Sequence, residues 1–208
     1  MTGTSRESHL VELVDRAGRP VGSATVAAAH QPPGQLHRAF SVILVDPAGQ
    51  LLLQQRAAVK TRFPLRWANT CCGHPLPGQS VTEAANRRLG EEVGVAPVPL
   101  TELGVHTYQA TDPVTGRTEY EYDHVLLGEL DPASPLRPDP AEIAQLRWMP
   151  PDELRVGLTD DPHAYAPWLA GVVDQLFAPG RRDHDAAAER NGANAERHGG
   201  AAERPGER

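Results

Sequence analysis

Apolar positions first gather into strand-like runs near residue 40. Ala39-Phe-Ser-Val-Ile-Leu-Val45 and Leu51-Leu-Leu-Gln-Gln55 flank Asp46-Pro-Ala-Gly49, and two apolar runs joined by so short a Pro/Gly link predict a β-hairpin. The hairpin presents Arg56 and Lys60 just past its second strand. The period then changes. Ser80-x-x-Glu83 is a capping box opening a helix that runs through Val93, with Ala85, Leu89 and Val93 on one face and Gly94 as its stop. Gly90 inside that helix costs about 1 kcal/mol relative to Ala. A second hairpin spans Val105 to Leu130 and turns near Asp112-Pro-Val-Thr-Gly116. Helical spacing returns over Tyr165–Phe177, where Trp168, Val172 and Leu176 stack beside Leu169 and Val173. Strands mixed with two substantial helices predict an α/β sandwich. No internal repeat is visible.

Composition limits how far that fold extends. The 208 residues are 39% hydrophobic, enough for one well-buried domain, assigned to residues 8–178 behind a flexible N-terminus at 1–7. Residues 181–208 contain no Leu, Ile, Val, Phe, Trp or Tyr, so they cannot bury enough apolar surface to offset their ordering entropy, and 179–208 are expected to form a disordered tail. The net charge of −7 and pI near 5.7 exclude the broad basic surface that nucleic acid requires. An anionic ligand must therefore meet a local cationic pocket, which draws notice to Lys60, the chain's sole lysine. The only cysteines, Cys71 and Cys72, are adjacent, where a disulfide would be strained and would close no useful loop. A reduced cytoplasm fits them. The N-terminus has no apolar leader, and no run approaches a membrane span, so a soluble protein without a membrane partner is expected.

Four segments carry possible chemistry. Trp67-Ala-Asn-Thr-Cys-Cys-Gly-His-Pro75 brackets His74 between Gly73 and Pro75, which predicts shaped backbone at a strand end. Glu119-Tyr-Glu121 lies in a strand-like run that puts both carboxylates on one face, roughly 6–7 Å apart along the chain. They are either a solvated face or a pair held together by a cation. His30 and His37 flank a Pro-Pro-Gly bend that could turn them toward a common point, and imidazoles from a loop plus distant carboxylates are a usual divalent-metal set. Arg88 and Glu92 share a helix face at i and i+4. That spacing suits a surface ion pair, or a carboxylate holding Mg²⁺ while an arginine grips phosphate oxygens.

Gly73-x5-Gln79-x7-Arg87-Arg88-Leu-Gly-Glu91-Glu92-Val-Gly94-Val95 resembles a degenerate Nudix box, with Gln79 and Arg88 at two of its usual acidic positions. Replacing a metal-binding glutamate with arginine argues against diphosphate hydrolysis. The same replacement is typical of type 1 isopentenyl-diphosphate isomerases. Residues 8–178 resemble that family through AAH30, H37RAFS, QR56AAVK60, W67ANTCC72GH74P, the box, Y108QATDP and E119YE121. The resemblance implies a Nudix-type α/β/α sandwich with a mixed β-sheet, which acts as a monomer on a small diphosphate. It implies a Mn²⁺ or Zn²⁺ ion on His30, His37, His74, Glu119 and Glu121. Arg56, Lys60 and Arg88 would hold the diphosphate, with Mg²⁺ placed by Glu92 and the Cys72 carbonyl. Cys72, as a thiolate base, and Glu121 would exchange protons on opposite faces of the substrate, with Tyr108 linking Glu121 to the alkene and Cys71 pointing elsewhere. Two positions depart from the family: Val26 stands where a lysine often contacts the diphosphate, and the active-site tryptophan aligns with His163, five residues before Trp168. The expectation is that another aromatic, Tyr165 or Trp67, faces the substrate carbons. A Nudix hydrolase of a nucleoside or prenyl diphosphate is the alternative activity, and a non-catalytic binding module a third class.

Overall fold

The computed structural model describes residues 6–178; the tail at 179–208 and residues 1–5 lie outside the described residues. Strands β1 (Leu10–Val14) and β2 (Pro20–Thr25) form an antiparallel hairpin that leads into the single turn α1 (Val26–Ala29). There follow β3 (His37–Val45), β4 (Leu51–Arg56), β5 (Trp67–Ala68), β6 (Cys71–Gly73) and helix α2 (Val81–Glu92). The second half adds β7 (Thr101–Thr111), β8 (Thr118–Glu129), β9 (Ile143–Met149), α3 (Pro151–Asp160) and α4 (Leu169–Asp174). A 3-10 turn follows at Gln175–Phe177.

The strands form one mixed nine-stranded sheet organised by β3. One edge of β3 pairs in parallel with β8, from His37↔Glu121 to Val45↔Glu129, and the other meets β1, β6 and β4 in turn. A strand enclosed in this way loses water on both faces, which is why its sequence runs nearly without polar residues after Arg38. Alternation divides its side chains. Phe40, Val42 and Leu44 join Ala84, Ala85 and Leu89 of α2 and its C-cap Val93 in the main core, while Ser41, on the other face, hydrogen-bonds Asp123 of β8. Ser41 also lies 3.6 Å from the Cys72 sulfur. The same alternation parts the two cysteines: Cys71 is fully buried in the α2 core, and Cys72 turns to the opposite side. Helix α2 begins as its capping box requires, with Ser80 accepting the Glu83 N–H at 3.4 Å, and stops at Gly94, whose φ of 76° suits glycine.

One predicted helix is shorter than its spacing suggests. The segment Tyr165–Phe177 becomes helical only at Leu169; Tyr165 is extended, with φ −111° and ψ 154°, and bridges in parallel to Trp67. Pro167 explains the late start, since proline disfavours the helical region for the residue before it. Strands β1, β2 and β9 and helix α3 carry no strong periodic signal. The β2 segment PVGSAT is mostly exposed, and α3 buries only Leu154.

Candidate active site and metal centre

His30, at the end of α1, and His37, at the start of β3, come together with His74, just past β6, and with Glu119 and Glu121 on β8. One potential ligand atom from each lies within 4.8 Å of all the others. The strand pairing causes this directly, because the register sets His37 beside Glu121, and the period of two puts Glu119 on the same face. That face is buried, so the solvated-strand alternative does not hold. The Nδ1 atoms of His30 and His37 donate to the carbonyls of Val26 and Gln35, both at 2.7 Å. A carbonyl can only accept, so each neutral ring is left with an unprotonated Nε2 facing the cluster. His30 Nε2 and Glu119 Oε2 are buried 2.7 Å apart, and neither has a hydrogen-bond partner. Lone pairs aimed at one another inside a protein fit a divalent cation.

The electrostatics are those of ionised acids kept charged under cover. Burial and Glu121 both push Glu119 upward, but Arg62 and the adjacent His30 ring outweigh them and bring it to about 2. Burial likewise opposes ionisation of Glu121, yet the neighbouring His37 and His74 rings, His74 within hydrogen-bond distance at 2.9 Å, hold it well below the usual carboxylate range. Burial draws His74 down to about 4 and so keeps its ring neutral. His37 moves the other way, raised against burial by Glu121.

A cleft of about 700 Å³ opens beside the cluster, lined by Cys72, Tyr108, Glu121, Trp168 and the cations Arg56, Lys60 and Arg88. Tyr108 donates to Glu121 Oε2 at 2.7 Å, making the phenol an extension of that carboxylate. Each cation already has partners. The Arg56 guanidinium donates to the Arg62 and Phe63 carbonyls and lies 5.3 Å from the Trp168 ring centroid. Lys60 pairs with Glu142, and Arg88 with Glu91, Glu92 and Glu142. Burial lowers Lys60, Arg56 lowers it further, and Glu142 partly restores it.

Several of these residues escape sequence reasoning. Arg62 donates to Glu119 at 2.8 Å, Glu142 bridges Lys60 and Arg88, and Arg6 reaches Glu142 at 3.0 Å. Arg6 and Glu7 sit in a 3-10 turn, Arg6–Ser8, and Glu7 pairs with Arg62 and Arg117. The loop carrying Lys60 and Arg62 is shaped by Asp112, a buried carboxylate that accepts the N–H groups of Phe63, Val114 and Thr115. Phe63 and Leu65 in that loop have φ of 45° and 59°, a conformation side chains resist. Asp112→Ala is expected to cost about 1–3 kcal/mol, mainly from the orphaned Phe63 N–H, and to raise KM as the loop relaxes. Urea denaturation and substrate titration would measure both.

Two expectations need correction. His163 is exposed in a 3-10 turn and does not line the cleft; the aromatic that lines it beside Tyr108 is Trp168, edge-on to Phe63 and 5.8 Å from Tyr108 between centroids. Neither Tyr165 nor Trp67 fills that place. The Cys72 thiol is not poised as a thiolate, because burial and the charge of Asp123 push it up to about 12.

A NUDIX domain matches residues 35–173. The fold recurs in the crystal structure of a Deinococcus radiodurans protein, with a TM-score of 0.67 at 20% identity over 82% of this chain and 100% of that one. Sheet, helices and box thus define a Nudix domain. The isopentenyl-diphosphate Delta-isomerase of Nocardia farcinica is 63% identical over 79% of this chain and 92% of its own. That of Streptomyces avermitilis is 48% identical over 81% and 83%. The chain belongs to the family of Nudix-type isopentenyl-diphosphate Delta-isomerases.

Proposed function

We propose that this chain interconverts isopentenyl diphosphate and dimethylallyl diphosphate by adding a proton at C4 and removing one from C2, through a tertiary cation-like state at C3. The observation that carries the reading is one cleft holding two proton-exchanging groups, Cys72 and the Tyr108–Glu121 pair, beside cations that include Arg56, Lys60 and Arg88. Moving the double bond of an unactivated alkene needs two such groups. One gives a proton to C4, the other takes one from C2, and proton exchange with solvent returns the pair to its starting state before the next turnover. Cys72 enters as a thiol, so it can give a proton first.

Arg56, Lys60 and Arg88 would bind the diphosphate after exchanging their present partners, and Glu92 with the Cys72 carbonyl would hold a Mg²⁺ that accompanies it. His30, His37, His74, Glu119 and Glu121 would hold Mn²⁺ or Zn²⁺, whose charge beside Glu121 biases that carboxylate's proton affinity. The alternative hydrolase needs box carboxylates where Gln79 and Arg88 stand. Among the described residues no helix is long and apolar enough to cross a membrane, and two adjacent free thiols suit a monomer in a reducing cytoplasm. The domain is proposed to span residues 8–178.

Trp168 would face the C3 cation. A tryptophan face stabilises a desolvated cation by ~2 kcal/mol, so Trp168→Ala should lower kcat roughly thirtyfold. His163→Ala should leave the rate within about twofold, as for a surface change away from the site. The functional test is proton NMR of isopentenyl diphosphate with Mg²⁺ in deuterated water, where isomerisation moves the alkene signals and installs deuterium. Phosphate release without isomerisation would establish the hydrolase instead.

A further inference from the structure

The geometry points to Asn69 as a positioning residue that holds the Cys72 thiol and the Trp168 ring in fixed relation on one wall of the cleft. Its amide is buried between β5 and β6, and four groups surround it. Nδ2 donates to the carbonyls of Val42 at 3.1 Å and Cys71 at 2.9 Å. Oδ1 accepts the indole N–H of Trp168 at 3.0 Å and the Cys72 thiol at 3.2 Å. The orientation follows from chemistry, since an indole nitrogen can only donate and carbonyls can only accept. Every donor and acceptor of the amide is used.

The arrangement has a consequence that neither partner has alone. Nδ2 anchors the amide to the backbone of β3 and of β6, the two strands that define this face of the sheet, and Oδ1 passes that anchorage to sulfur and ring together. In the proposed reaction the group exchanging a proton at one carbon and the ring facing its neighbour must be placed to a fraction of a bond length. A displacement of about 1 Å at a reacting centre can cost on the order of a hundredfold in rate. Asn69's hydrogen bonds go to Val42, Cys71, Cys72 and Trp168 and to none of Arg56, Lys60 and Arg88, so its loss should act more on the chemical step than on diphosphate binding.

This inference rests on the isomerase reading, and the test separates the two. Asn69→Ala, made in a Cys71→Ala background, should lower kcat on the order of tenfold to a hundredfold while KM stays within about threefold. It should also speed alkylation of Cys72 by iodoacetamide at least about threefold, because the sulfur is no longer held against the buried amide oxygen and reaches the cleft more freely. Replacing Trp168 alone with benzothienylalanine, which keeps the bicyclic ring but has sulfur for the N–H, should lower kcat severalfold. In the Asn69→Ala background the same replacement should add little, as expected of coupled groups. Should Asn69→Ala fail to fold, the benzothienylalanine protein decides alone, and an unchanged kcat there overturns the assignment. Unchanged kcat and alkylation in a folded Asn69→Ala protein, or purely additive losses, do the same. A wild-type chain without isomerase activity would remove the functional reading, and the alkylation rates would then judge Asn69 by themselves.

Discussion

Cys72→Ala and Glu121→Gln should each lower kcat by at least about a thousandfold, the upper range for removing a positioned acid/base group, while the protein stays folded. Cys72 is the less ambiguous of the two. Its sulfur faces the cleft and contributes nothing to the α2 core, so truncation removes a proton carrier and little packing. Glu121→Gln removes a proton acceptor and a metal ligand together, so metal content must be measured alongside rate. Cys71→Ala is the internal control. Its side chain packs in the core on the other face of the sheet, so it should cost about 1 kcal/mol of stability and leave isomerisation within about twofold. An essential Cys71 with a dispensable Cys72 would reverse the facing of β6 and overturn the site.

Stripping divalent metal with a chelator should abolish activity and change the pH dependence of stability. Metal ligands bind deprotonated, so the metal-loaded protein should gain stability as pH rises through the imidazole range. The chelated protein behaves otherwise. His37, raised above its ordinary 6.5 by Glu121, contributes stability that is fully present below 6.5 and is lost as pH rises through the raised value. Glu119, lowered from 4.5 to about 2, contributes stability present above 4.5 and lost as pH falls toward 2. His74, lowered from 6.5 to about 4 by burial, contributes stability present above 6.5 and lost as pH falls toward 4; chelated protein should therefore lose stability on both sides of the ordinary imidazole value, and thermal melts across pH 3–9 (about one-unit steps suffice at 1.4 kcal/mol per unit) would show it. Full activity in excess chelator would remove the metal from the mechanism.

The parts of this fold that could be read in advance are those that sequence neighbours determine. The β3–β4 hairpin, the capped helix α2 and the β7–β8 hairpin each depend on contacts a few residues apart, and their patterns are strong. The parallel pairing of β3 with β8 joins residues some eighty positions apart, and no local period encodes it. The site divides likewise. His30, His37, His74, Glu119 and Glu121 were legible as a set only because several motifs occur in the family's order, since each alone suited a surface role. Glu142, Arg62 and Asn69 lie outside recognisable chemistry, and their partners are known only once the chain is folded. Trp168 and His163 show the opposite hazard: aligning by motif put the ring five positions early, and the late start of α4 determines which aromatic enters the cleft.

The pairing of β3 with β8 also bears on when the protein becomes functional. The five candidate cation ligands run from residue 30 to residue 121, and the last two arrive on a strand that can dock only after the intervening hairpin and helix exist. Long-range parallel pairing is slow to form, because loop closure precedes any compensating contact. A nascent chain that has not yet released β8 from the ribosome thus holds three histidines without their carboxylates. Metal uptake during synthesis would then mark completion of the central sheet, and its rate could be followed as a clock for the last step of folding.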